Sequence, residues 1–177
     1  MARLIVFSGA GISADSGIPT FQSNPNVRDK LTRSFANTFP QEFAQVMNEL
    51  EELINKAKPN AAHLVLAEYD VLIITMNIDK LHQSAGSKNV INVHGDFPDI
   101  VLYEDMAPKY NEALKIVEGM NTSDTLLVIG TSYNTMFAQQ LLYIAKYNGV
   151  KIVEVQKEAA IEVPRIVKKY FANKELQ

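Results

Sequence analysis

Apolar residues in this chain come in short continuous runs rather than in strict alternation. The runs are Leu4–Phe7, Val71–Ile74, Val90–Val93, Ile100–Tyr103, Leu126–Ile129 and Val150–Val155. Each has the length of a strand, and continuous apolarity implies that both faces of that strand are covered. Stretches with helical period lie between many of them: Pro40–Lys58, Ala61–Glu68, Lys109–Met120, Phe137–Asn148 and Ala160–Ala172. Strands interleaved with helices predict an α/β fold, a doubly wound, Rossmann-like parallel sheet. The stretch Gln22–Thr38 has mixed polarity and no clean period, and reads as a mobile segment near a ligand. No repeat or linker interrupts the 177 residues, so a single domain over 1–177 is expected.

The turns after these strands carry the chemistry. In open α/β sheets, ligands bind beyond the carboxyl ends of the strands. GAGISADSGIPTF (Gly9–Phe21) follows the first run, and TMNID (Thr75–Asp79) follows the second. VHGD (Val93–Asp96) closes the third, and GTS (Gly130–Ser132) follows Leu126–Ile129. Four polar, turn-forming strings thus converge on one edge of the sheet. Gly9 and Gly11 have no side chain, so a pyrophosphate can approach their amides, and a helix starting near Ile12 adds its positive end. A phosphate-rich dinucleotide is the expected ligand. The lysine of a P-loop is absent, which argues against an ordinary ATPase. The spacing also departs from G-x-G-x-x-G, leaving Ser13 and Ala14 to do the close packing. Gly17 to Phe21 then leave the helix after barely a turn, as a loop over a ligand does.

Composition narrows the classes. A formal net charge of −3 offers no broad basic surface, which argues against nucleic-acid partners. There is no apolar run of about 18 residues and no signal-peptide pattern, so no membrane association and a cytoplasmic location are expected. The absence of cysteine excludes disulfides, a thiol nucleophile and a cysteine zinc site. His63, His82 and His94 lack ligand spacing, so no metal is expected.

These strings, with KPNAAH (Lys58–His63), TMNIDKLHQSAG (Thr75–Gly86), VLYEDMAP (Val101–Pro108) and GTSYNTMFA (Gly130–Ala138), resemble the sirtuins, the NAD-dependent protein deacylases. The resemblance runs from the first strand to about Val155. It implies NAD as cofactor and an acyl-lysine protein or peptide as partner. The acyl oxygen attacks the anomeric carbon as nicotinamide leaves, and the end products are the free lysine and an acylated ADP-ribose. By position His94 is the general base on a ribose hydroxyl. Its ordinary pKa near 6.5 makes the neutral imidazole available. Asn77 orders a water and the ribose, and Asp79 holds the nicotinamide carboxamide. Around NAD the resemblance places Gly9, Ala10, Gly11, Ser13 and Ala14, then Pro19, Thr20, Phe21 and Gln22. Met76 and Ile78 flank Asn77 on the second string. Gly130, Thr131 and Ser132 hold phosphate or ribose oxygens, and Gln156 lies by the adenosine ribose. Phe21 shields the reacting face.

Each residue also has a plainer reading. His94 can be a turn residue, and Asn77 and Asp79 can cap a helix starting near Ile78. Ser132 can cap the helix that follows it. His63 packs or caps its own helix, His82 has no assigned role, and Tyr103 and Phe137 read as core or groove wall.

The chain departs from the family at several points. Only Phe97, Pro98 and Asp99 separate Asp96 from Ile100, where sirtuins carry a cysteine-bound zinc module. The small zinc-binding domain is therefore expected to be missing and the acyl-lysine site to be shallow and open. An open face is suited to self-association or to a partner that completes the cleft. Gln22 stands for an arginine, Met76 for a glutamine and Gln156 for an asparagine. Tyr103-Glu104-Asp105 stands for F-G-E. Two alternatives therefore remain beside deacylation: NAD hydrolysis or ADP-ribosyl transfer, and a non-catalytic NAD or ADP-ribose binding module.

Overall fold

The computed structural model describes residues 2–20 and 25–175. Phe21 and Gln22 lie outside the described residues. Five strands form one parallel sheet: β1 (Leu4–Ser8), β2 (Leu72–Thr75), β3 (Val90–Asn92), β6 (Thr125–Ile129) and β7 (Lys151–Val155). Their order is β3-β2-β1-β6-β7, with β1 in the middle. Ile5 sits opposite Leu72 on one side and Leu126 on the other.

Alternate residues of β1 face opposite layers, which is why its apolar run is unbroken. Ile5 and Phe7 pack into one layer with α6 (Tyr110–Glu118) and α7 (Met136–Tyr147), through Ala113, Val117, Phe137 and Leu141. Leu4 and Val6 face the other, made by α4 (Ala61–Glu68) and α8 (Ala159–Glu175), through Val65, Leu66, Val163 and Val167. Phe7, Leu66, Leu127 and Leu141 are fully buried. Each such side chain contributes about 1.5–3 kcal/mol of hydrophobic transfer. The doubly wound α/β architecture is as expected.

Two expectations about the rest need correction. Ile100–Tyr103 is not a strand of the sheet. Gly95–Asp96 (β4) and Asp99–Ile100 (β5) instead form a small antiparallel hairpin, and Tyr103 bridges to Thr32. The apolar side chains of this run turn away from the sheet. Leu102 packs with Leu31 and Val46 in a third cluster, joined by Phe43, Leu50, Ile100 and Tyr103. The second correction concerns the segment before it. From Pro25 onward it forms α1 (Pro25–Lys30) and α2 (Arg33–Thr38), followed by α3 (Pro40–Lys56). Thr32 caps α2 by accepting a hydrogen bond from the Phe35 N–H at 3.1 Å. Short helices held by caps and tertiary contacts leave little periodicity to read. No helix of the described residues is long and apolar enough to cross a membrane.

Candidate active site

The carboxyl ends of the strands open onto a cleft of about 1130 Å³. Strand order distributes the four strings along it. The β3 end brings His94 and the β2 end brings Met76, Asn77, Ile78 and Asp79. In the middle, β1 brings Gly9, Ala10 and Gly11, with Pro19 and Thr20 beyond them. The β6 end brings Gly130, Thr131 and Ser132, and Gln156 follows β7. Ser13 and Ala14 do not line the cleft: Ser13 is buried beneath it and Ala14 faces out.

The glycine turn works differently from the sequence expectation. Gly9 N–H donates to Ile129 O and Gly11 N–H donates to Gly130 O, each at 2.9 Å. These two amides are therefore engaged and do not offer themselves to a phosphate. A Cβ on Gly9 would come within 2.8 Å of Gly130 O, and one on Gly11 within 2.5 Å of the Gly130 Cα. Gly130 has φ +55°, and a Cβ there would strike the backbone of Gly11 and Ile12. The three glycines let two loops meet backbone to backbone, with Ala10 opening the 3-10 turn Ala10–Ser16. Asn60 holds that turn from below, donating to Ile12 O at 2.8 Å and Ser16 Oγ at 3.0 Å. The same side chain caps α4 by accepting from the Ala62 N–H at 3.0 Å. His63 completes the cap, its Nδ1 accepting from the Asn60 N–H at 3.3 Å.

Ser13, Asp79 and Asn77 form a buried polar knot. Ser13 Oγ donates to Asp79 Oδ2 at 2.7 Å, and Asn77 Nδ2 donates to Ser13 Oγ at 3.2 Å. Asp79 Oδ1 accepts from the Leu81 N–H at 2.9 Å. Burial pushes the Asp79 carboxyl above the usual carboxylate range, and the Ser13 and Leu81 hydrogen bonds pull against it. The helix expected near Ile78 starts instead at Leu81 (α5, Leu81–Ser84), behind Lys80 at φ +59°. Asn77 and Asp79 thus sit in the loop before it, with their side chains turned to the glycine turn.

His94 occupies the turn between β3 and β4. Its carbonyl accepts from the Val101 N–H at 2.8 Å, which fixes the backbone. The ring is half-buried, its centroid 6.3 Å from that of Tyr103. Burial lowers its pKa below 6.5, so the imidazole is neutral at physiological pH. Among the described residues no side chain is hydrogen-bonded to its ring nitrogens.

Several contacts had no clear signal in the sequence. Thr135, not Ser132, caps α7, accepting from the Ala138 N–H at 3.2 Å. Thr135 Oγ1 also donates to the Met76 sulfur at 3.7 Å, so the thioether ties the β2 loop to the β6 loop. Ser132 Oγ accepts from the Asn134 N–H at 3.3 Å within its own turn. Glu104, at φ +80°, turns away from the cleft and caps α2 through the Ser34 N–H (2.8 Å) and hydroxyl (2.9 Å). Asp105 pairs with Arg33 at 2.6 Å. Leu50, Leu53 and Ile54 of α3 also line the cleft, and Leu50 packs in one cluster with Ile100 and Tyr103. The spacing N-x-x-H in KPNAAH was the one sequence signal that could have pointed to the Asn60 clamp.

Comparisons with known proteins agree on one family. The profile of the Sir2 family matches residues 9–98. An NAD-dependent protein deacetylase of Bacillus anthracis is 33% identical over 203 residues, covering 88% of this chain and 83% of the relative. One from Caldivirga maquilingensis is 31% identical over 202 residues, covering 87% and 77%. That alignment is longer than the whole chain, so the relative carries stretches without counterpart here. In fold, a crystal structure of a Sir2 homologue–NAD complex superposes with a TM-score of 0.87, covering 97% of this chain and 90% of that one at 24% identity. The chain belongs to the Sir2 family.

Proposed function

We propose that this chain is an NAD-dependent protein-lysine deacylase that releases nicotinamide and an O-acyl-ADP-ribose. The observation that carries the proposal is the convergence of His94, Asn77, Asp79 and the Gly9–Gly11 turn on one cleft. The protein relatives bear deacetylase names. Residues 1–177 act as one catalytic unit in this reading.

The cleft fits a dinucleotide. Its volume of about 1130 Å³ is ample, and Gly9, Gly11 and Gly130, where the two loops meet backbone to backbone, lie along its floor. Neutral polar groups along it (Thr20, Asn77, Thr131, Ser132, Gln156) suit hydroxyls and a pyrophosphate, and Arg28, Asp29, Asp79 and His94 are the acidic and basic residues of the same lining. When bound, NAD supplies a ribosyl carbon activated by its nicotinamide leaving group. Asn77 and Asp79 hold the nicotinamide end, oriented by Ser13. His94 takes the proton of a ribose hydroxyl beside that carbon, which a neutral imidazole can do. The apolar lining residues Ile100, Val101, Tyr103, Leu50, Leu53 and Ile54 guide the acyl-lysine.

An acyl-lysine protein is the proposed partner, and the cytoplasm the proposed location. The two-residue turn of the β4–β5 hairpin leaves the rim low, and a second copy or another protein would complete it. Mass spectrometry of NAD products, with and without an acetyl-lysine peptide, tests the function. Acyl-ADP-ribose formed only with peptide supports deacylation. Nicotinamide released without peptide supports NAD hydrolysis, and intact NAD after long incubation supports a binding module.

A further inference from the structure

We propose that a second recess, at the amino ends of the strands, binds a small carboxylic acid with an apolar body. Leu4, Thr125 and Lys151 are the first residues of β1, β6 and β7, and with Val153 and α8 they enclose about 270 Å³. The Gly9 turn, Gly130 and Gln156 follow the other ends of the same three strands, so the recess is separate from the cleft. Ile166, Lys169, Tyr170 and Asn173 have the i, i+3, i+4, i+7 spacing of one helix face, and that face of α8 closes the recess.

The lining divides by chemistry. Leu4, Val153 and Ile166 belong to the apolar layer between the sheet and α8 and supply hydrocarbon walls. An apolar cavity of about 150 Å³ already takes up benzene, so this one admits a body of about ten non-hydrogen atoms. Lys151 and Lys169 are exposed at its edge, and among the described residues neither forms an ion pair. The Tyr170 hydroxyl is buried and has no hydrogen-bond partner among the described residues. A buried donor left unmade is costly and uncommon, and it calls for an acceptor. Burial and the charge of Asp124 both raise the phenol's pKa, so the hydroxyl keeps its proton and donates. Asp124 does not repel an anion unopposed, because Arg3 pairs with it at 2.6 Å. Two ammonium groups and a phenolic O–H want an anionic acceptor, and the walls want hydrocarbon. A monocarboxylate such as octanoate supplies both. Inorganic phosphate lacks the body, and a neutral amide lacks the charge.

Calorimetric titration of the full chain with octanoate, octanamide and inorganic phosphate tests this. The parent should bind one octanoate with a Kd on the order of 0.1 mM, which about ten non-hydrogen atoms can sustain. Octanamide and phosphate should each bind at least about tenfold more weakly. The double variant Lys151→Ala, Lys169→Ala should weaken octanoate about tenfold, and both side chains are exposed, so it should fold. Tyr170→Phe should weaken octanoate several-fold while its melting temperature stays level or rises, because the lost hydroxyl had no partner. Excess ADP-ribose should not displace octanoate from the parent. Absence of saturable octanoate binding, equal binding of octanamide, undiminished affinity in the lysine variant and in Tyr170→Phe, or displacement by ADP-ribose overturns the inference. None of these results bears on the cofactor of the cleft, which lies at the other end of the strands.

Discussion

Ser13 Oγ lies 2.7 Å from Asp79 Oδ2, a hydrogen bond that joins the glycine turn after β1 to the loop after β2. Both residues are buried, Ser13 fully and Asp79 at 5% exposure. A buried carboxyl needs such partners, since burial alone raises its pKa and an unpaired polar group is costly. Ser13 is therefore a positioning residue, fixing the carboxyl and, through its other contact, Asn77.

Removing that hydroxyl should be felt twice. Ser13→Ala leaves Asp79 Oδ2 and Asn77 Nδ2 without their partner, at a cost of about 1–3 kcal/mol in urea unfolding. The KM for NAD should rise in the same variant. Unchanged stability and KM would mean that the contact is incidental.

His94→Ala should lower turnover by about 10²–10⁴-fold, the usual size of a general-base contribution, with NAD binding retained in calorimetry. The parent's rate should climb with pH through an apparent pKa below 6.5, because burial lowers the His94 pKa and only the neutral ring accepts a proton. An acid limb centred above 6.5 would contradict the assignment.

Gly130→Ala tests the meeting of the two loops. The position sits at φ +55°, and the added methyl would strike the Gly11 backbone. Strain from the backbone alone costs roughly 1–2 kcal/mol, and the collision adds to it. Thermal unfolding should drop accordingly. Gly17→Ala, where no atom lies within 4 Å, should show only the backbone part.

His63 and His82 pack ring to ring at 4.9 Å, with His82 Nε2 2.9 Å from Ser8 Oγ. Burial depresses both, His63 to about 4 and His82 to about 3, the latter helped by its neighbour. The unfolded chain therefore binds more protons than the folded one below about 6.5. Stability from these groups is complete above that pH and is lost as pH falls toward 4 and then 3. Each can add a slope of up to about 1.4 kcal/mol per pH unit in that window. Unfolding between pH 7 and 4.5 should show the decline, and His82→Gln should flatten it. Equal slopes in parent and variant would refute this account.

How much of this was legible in the sequence depended on the range of the interaction. The runs at Leu4, Val71, Val90, Leu126 and Val150 gave the sheet because continuous apolarity is a local signal. The run Ile100–Tyr103 carried the same signal but bury its side chains against Leu31 and Val46, which no local pattern distinguishes. The turn strings located the rim. They did not reveal that Gly11 N–H is engaged by Gly130 O, that Asp79 binds Ser13, or that Glu104 caps α2, since each pairing spans a long stretch of chain. α1 and α2 were missed because short capped helices have too few turns to show a period.

A structure determined with NAD and an acyl-lysine peptide bound tests the central claim most directly. The account predicts the dinucleotide lying along the strand ends, with a nicotinamide-ribose hydroxyl about 2.6–3.2 Å from a ring nitrogen of His94. NAD bound elsewhere, or a sugar out of reach of that imidazole, would contradict it.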